Sequence, residues 1–196
     1  MTPKMLIIGY GNPLRRDDGV GWQAAQYLSR ELSGKGVEVI ACHQLVPEHA
    51  ERISQADLVI FIDASVGASP GSVSCTAVEP EVASPADLTH HVTPSVLMDC
   101  SRKLYNSNPK AYFLSVCGES FELGEGLSPA VSSALPEVVR KARQLASLSG
   151  LRDKAEDGSC DSMCARFPNT PLEKQRINEV ARHGNRDPQP RKDRQG

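Results

Sequence analysis

Short apolar runs alternating with amphipathic stretches predict an α/β fold, a three-layer αβα arrangement in which a mostly parallel five-stranded sheet lies between helices. The runs Met5–Tyr10, Val37–Cys42, Leu58–Ile62, Val73–Val78 and Tyr112–Cys117 are short and β-branched, as strands buried on both faces are. Helical patterns fill the gaps at about 19–33, 47–55, 94–106 and 129–149. With 39% hydrophobic and 23% charged positions, the chain has enough apolar material for one sizeable core.

Each element has its own local reason. The first strand runs into the glycine-rich turn Gly9-Tyr10-Gly11-Asn12-Pro13 and then into the first helix. Asp63 follows directly on the third apolar run, Leu58–Ile62. Thr93 before Pro94 and Ser128 before Pro129 place a capping hydroxyl ahead of a proline at the first helical position. Pro136 falls inside the last helical pattern, where a proline costs about 3 kcal/mol. The expectation there is a short turn from Pro129, with the main helix starting near Leu135.

Residues 1–150 read as one α/β domain, and 151–196 as a polar tail expected to be mobile or loosely packed. The tail carries ten Lys/Arg against eight Asp/Glu and little that can be buried, with one helical stretch at about 171–182. A formal net charge of -2 and a pI near 6.2 give no basic footprint, so no nucleic-acid partner is expected. No apolar run approaches the roughly 18 residues of a membrane span, and the run after Lys4 is too short for a secretory signal. The expected compartment is therefore the cytoplasm, with no membrane partner, and the expected state a monomer. The six cysteines read as reduced thiols in so long a chain. Only Cys160 and Cys164 are close neighbours, a weak start for a metal site with His183 alone nearby.

The strand, glycine turn and helix at the start invite a dinucleotide reading. That fingerprint needs a third glycine where Leu14 stands, and an acidic residue after the second strand where the chain has Ala41-Cys42-His43. Asp17 and Asp18 would also repel a pyrophosphate. Taken alone, the two aspartates read as helix caps. Asp63 changes the balance, because the first and third strands of a doubly wound sheet lie side by side, with their C-terminal ends at the ligand-binding edge. Asp18 and Asp63 are then expected to face one crevice, where two unpaired carboxylates favour a cation. His90 and His91, in the loop after the fourth strand, offer a third ligand expected to return to the same edge. One imidazole and two carboxylates suit a divalent transition metal with open positions for a guest.

Five ordered blocks carry a family resemblance: Gly9 to Gly21, Gln44-Leu45-Val46-Pro47-Glu48, Phe61-Ile62-Asp63-Ala64, Thr89-His90-His91-Val92-Thr93-Pro94 and Gly124-Glu125-Gly126-Leu127-Ser128-Pro129. Over residues 4–149 the chain resembles the hydrogenase maturation endopeptidases. The resemblance implies a twisted five-stranded sheet between helices, and an enzyme that removes the C-terminal extension of a nickel-iron hydrogenase large-subunit precursor after nickel insertion. The family's metal-binding and catalytic positions fall on Asp18, Asp63 and His90, His90 holding the family's place after Thr89. The first acid is glutamate in some relatives and aspartate here, and the residue after His90 is often aspartate where this chain has His91.

No Ser-His-Asp arrangement, no H-E-x-x-H and no thiol beside a base is legible, so ordinary peptidase machinery is not expected. The implied cofactor is the nickel supplied by the substrate, for which other divalent transition metals can substitute. The alternatives are a peptidase of the same fold acting on another precursor, and a non-catalytic nickel-binding maturation chaperone. Gln44 and Glu48 read as peptide contacts, solvated surface or caps, and Arg15 and Arg16 as steering charges or solubility. Asn12 reads as a loop tie through its side chain.

Overall fold

The computed structural model describes residues 5–32, 36–82 and 92–150, apart from the side chains of 148–150. Five strands, β1 (Met5–Tyr10), β2 (Val37–Cys42), β3 (Leu58–Val66), β4 (Val73–Ala77) and β5 (Lys110–Gly118), form one sheet in the order β2-β1-β3-β5-β4. All neighbours are parallel except β4, which runs antiparallel to β5 at the sheet edge. The helices are α1 (Val20–Leu32), preceded by a 3-10 turn at Arg16–Gly19, then α2 (His49–Ser54), α3 (Pro94–Tyr105) and α4 (Pro129–Gly150).

Strand alternation builds two cores from one sheet. Met5, Ile7, Leu58, Ile60, Ile62, Leu114 and Val116 face α1 and α4, where Val20, Ala24, Leu28, Val131 and Val138 meet them. Leu6, Ile8, Val59, Phe61, Ala111 and Phe113 face the other way, onto Ala50 and Ile53 of α2 and Val96, Leu97 and Met98 of α3. Successive side chains of a strand point to opposite faces, so a segment buried on both must be apolar throughout, as Met5–Ile8 of β1, Leu58–Ile62 of β3 and Ala111–Leu114 of β5 are. The expected three-layer αβα architecture is the one observed.

Three expectations differ from what the fold does. β2 and β4 are only partly buried because each is an edge strand with one lateral neighbour. β3 and β5 extend past their apolar runs to Val66 and Gly118, because they pair with each other along nine residues. Pro136 does not interrupt α4, which is continuous from Pro129. The buried stripe Val131, Ala134, Val138, Ala142 and Leu145 keeps helical spacing across the proline. Each large apolar side chain so buried contributes about 1.5–3 kcal/mol, which together outweighs the local cost of about 3 kcal/mol. Within the mostly parallel sheet that was expected, β4 is the antiparallel strand, so the chain leaves it at the edge opposite Asp63. His90 and His91, expected to return to the edge of Asp63, lie outside the described residues, as do Cys160, Cys164 and the whole 151–196 tail with its expected helix at 171–182.

Capping follows the sequence rules. The Thr93 side chain accepts the Val96 N–H at 3.2 Å, and Ser128 Oγ accepts that of Val131 at 3.4 Å. Cys42, Cys75, Cys100 and Cys117 are free thiols. Among the described residues no helix is long and apolar enough to cross a membrane.

Candidate active site

At the end of β1 the chain turns through Gly11, with φ 128°, where any Cβ would collide with the Asp18 carbonyl oxygen. That close approach lets the Asn12 N–H donate to Asp18 Oδ2 at 2.8 Å, while Asn12 Oδ1 accepts the Leu14 N–H at 3.0 Å. Asn12 is thus the loop tie its position suggested. Gly21 lets α1 lie directly on the strands, since a Cβ there would strike the carbonyl oxygens of Ile62 and Tyr10. Both close approaches bring the start of α1 down onto the C-terminal ends of β1 and β3.

The two neighbouring aspartates of this loop have opposite environments. Asp17 is fully buried, and its carboxylate accepts N–H groups from Ser128 at 2.6 Å, Glu119 at 2.8 Å and Ser120 at 3.0 Å. Burial alone would raise its pKa, but those donors outweigh burial and hold it below the usual carboxylate value. Backbone bonds from Arg16 N to Gly124 O, Asp17 N to Ser120 O and Gly124 N to Leu14 O complete a clasp between this turn and the β5–α4 loop. Neither Asp17 nor Asp18 caps a helix, because a 3-10 turn intervenes and both carboxylates accept from more distant backbone.

Asp63 has the contrasting surroundings. Its Oδ1 accepts the Ala64 N–H at 2.7 Å, and the Tyr10 side chain lies near it. Burial pushes its pKa well above the normal range and the nearby Asp18 charge adds to this, opposed by the Ala64 bond and the Tyr10 side chain. Asp18, in the turn after β1, is thus near enough to Asp63 of β3 for its charge to be felt there.

Strand parity extends this crevice across the sheet. Tyr10 is registered with Cys42, Gly9 with Ile62, Asp63 with Ser115, and Ser115 with Ser74. One polar side chain from each strand thus stands at the same level, on the face that carries α2 and α3. Ser74 and Ser115 satisfy each other at 2.7 Å. The Cys42 thiol is pushed up to about 11 by burial with a contribution from Asp63, and remains protonated at neutral pH. Tyr10 and Cys42 were not singled out by sequence reasoning; continuing the alternation Leu6, Ile8, Tyr10 beside Phe61, Asp63 would have found the tyrosine.

Among the described residues, no three His, Cys, Asp or Glu side chains gather closely enough to hold a metal ion. Asp18 and Asp63 supply two oxygen donors in a partly buried mouth where a cation would relieve their repulsion, which fits a hard or borderline divalent ion. Gln44 and Glu48 are exposed, and Glu48 makes no side-chain cap to α2.

No family model and no curated protein sequence matches the chain. Solved structures do. The chain is similar to "hydrogenase maturating endopeptidase HybD from E. coli", with 22% identity and a TM-score of 0.60, over 75% of this chain and 94% of that one. It is similar to "[NiFe] hydrogenase maturation protease HybD from Thermococcus kodakarensis", with 24% identity and a TM-score of 0.57, over 73% and 99%. A "[NiFe] hydrogenase maturation protease HycI" from Thermococcus kodakarensis KOD1 has 22% identity and a TM-score of 0.58, over 75% and 92%. The likeness establishes a shared fold covering nearly the whole of each of those chains.

Proposed function

We propose that this chain is a processing endopeptidase of hydrogenase maturation: it removes the C-terminal extension of a nickel-iron hydrogenase large-subunit precursor once nickel is in place. The observation that supports the reading is the nearness of the Asp18 charge to Asp63, beside the C-terminal end of the parallel strand pair β1 and β3, the edge where α/β sheets take ligands. The sequence blocks and the shared fold support it.

In this reading the nickel belongs to the substrate. Asp18, Asp63 and His90 complete the coordination of a metal already held by the precursor, so that only a loaded precursor docks in register. The metal acts as a template and as a Lewis acid on the scissile carbonyl. Water adds to that carbonyl carbon, the C–N bond breaks, and the departing amine takes up a proton. Ionised carboxylates are needed to meet the metal. Because Asp63 holds its proton to higher pH than an ordinary carboxyl, kcat/KM, which reports the free enzyme, should begin to fall on acidification at a pH where ordinary aspartates are still ionised.

The test is mass spectrometry of nickel-loaded and nickel-free precursor after incubation with the wild type, Asp18→Asn, Asp63→Asn and His90→Ala. The expected result is release of one C-terminal peptide from loaded precursor by the wild type alone. Equal cutting of both precursors, or full activity in all three variants, refutes the reading. Binding without release by the wild type would make the protein a chaperone instead.

A further inference from the structure

The turn that carries Asp18 is held from within. Asn12 Oδ1 accepts the Leu14 N–H at 3.0 Å and the Asn12 carbonyl oxygen accepts the Arg15 N–H at 3.0 Å, so the side chain and backbone of one residue close the loop twice. The Arg15 carbonyl oxygen then accepts the Asp18 N–H at 3.2 Å, which chains the aspartate to the same turn. Fixing residues 12–15 in this way limits how far the Asn12 N–H can swing, and that N–H donates to Asp18 Oδ2 at 2.8 Å. The turn is also set against Asp63, because a Cβ on Gly11 would overlap the Asp18 carbonyl oxygen and stand 3.5 Å from Asp63 Oδ1. Gly11 thus lies between the backbone of one aspartate and the carboxylate of the other.

We propose that Asn12 is a positioning residue of the site: its side chain fixes the turn whose backbone N–H holds the Asp18 carboxylate in place for a divalent cation shared with Asp63. This rests on the reading above, that Asp18 and Asp63 receive the substrate's metal. A carboxylate fixed before the metal arrives loses less freedom on binding it, and groups that orient a metal ligand typically change affinity about 10- to 100-fold when removed. The Asn12 side chain works through one intervening backbone group, so its effect belongs at the lower end of that range. In this role it touches neither the metal nor the scissile bond and acts only through Asp18.

Asn12→Ala removes the acceptor for the Leu14 N–H, and Asn12→Ser restores a weaker one. The full chain is titrated with Ni2+ by calorimetry as wild type, Asn12→Ala, Asn12→Ser and Asp18→Asn, with urea unfolding midpoints, hydrogen exchange of the residue-12 amide and cleavage of loaded precursor measured alongside. Asp18→Asn sets the background from any other Ni2+ sites of the chain. The expected outcome is a roughly 10-fold weaker Ni2+ affinity for Asn12→Ala, an intermediate value for Asn12→Ser, faster exchange of the residue-12 amide in step with each loss, and unchanged midpoints. Wild-type affinity in Asn12→Ala together with a lost site in Asp18→Asn overturns the role of Asn12 and leaves the functional reading intact. Weakened affinity without recovery in Asn12→Ser, without faster exchange of that amide, or with a lowered midpoint makes the side chain structural and overturns the proposal as well. So does a wild type that binds no Ni2+, since the site must be set before the precursor arrives. Wild-type affinity and cleavage in Asp18→Asn sink the functional reading, and the role of Asn12 with it.

Discussion

The clasp around Asp17 and the mouth around Asp63 are built from the same chemical group at the same end of the sheet, and they spend it in opposite ways. Asp17 is sealed from solvent and saturated with N–H donors, which makes its ionised form the favoured one and ties the β5–α4 loop to the first turn. Asp63 is partly buried, faces a like charge, and takes one backbone N–H among the described residues. A buried carboxylate with its donors in place stabilises a fold, whereas one kept short of them is poised for a ligand.

The comparison breaks first at Asp17. Asp17→Ala strands the N–H groups of Glu119, Ser120 and Ser128, each costing about 1–3 kcal/mol when buried without a partner, so urea unfolding should show a loss on the order of 3 kcal/mol or more. Next comes the floor shared by both regions. Gly21→Ala drives a methyl into the carbonyl oxygens of Ile62 and Tyr10, with a stability loss of about 1–3 kcal/mol and a fall in Ni2+ affinity as the strand ends shift.

Smaller effects sharpen the contrast. Asp63→Asn removes a charge the fold disfavours, so its stability at pH 7 should lie within about 1 kcal/mol of wild type and on the favourable side, although cleavage is lost. Asp18→Asn keeps a side-chain oxygen to accept the Asn12 N–H, and its stability should change by no more than about 0.5 kcal/mol while cleavage again fails. A stability loss in either variant as large as that of Asp17→Ala would erase the distinction between the two regions.

The pH dependence of stability should carry opposite signs for the two groups. Asp17 has a folded pKa below its unfolded value of about 3.9, so its contribution is present above that value and is lost as pH falls through the folded pKa. Asp63 has a folded pKa above its unfolded one, so its contribution is unfavourable at neutral pH and disappears as pH falls from the folded pKa towards about 3.9. Urea midpoints from pH 3 to 8 should therefore show Asp17→Asn less stable than wild type at neutral pH, Asp63→Asn more stable, and both differences shrinking in acid. Differences of the same sign would contradict the assignment.

Much of this was legible along the chain. The strands β1 and β2 begin and end where the apolar runs do, because the change from apolar to polar residues is a local signal. Thr93 and Ser128 announced their helices for the same reason. The parallel pairing of β1 with β3 followed from the alternation of strands and helices. Asp17 looked like a cap because its three donors lie more than 100 residues away along the chain. Pro136 looked like a break because the buried stripe that overrides it gains its energy from strands elsewhere.

By itself, then, the order of residues determined which segments are strands and helices, which faces are apolar, and that acidic groups follow the first and third apolar runs. These are properties of neighbours, governed by side-chain periodicity and backbone capping. The direction of β4, the fate of Asp17 and the nearness of the Asp18 charge to Asp63 were decided only when distant segments packed together. A carboxylate's charge state and orientation depend on the water it loses and the donors it meets, and both come from the assembled surroundings rather than from the residues beside it.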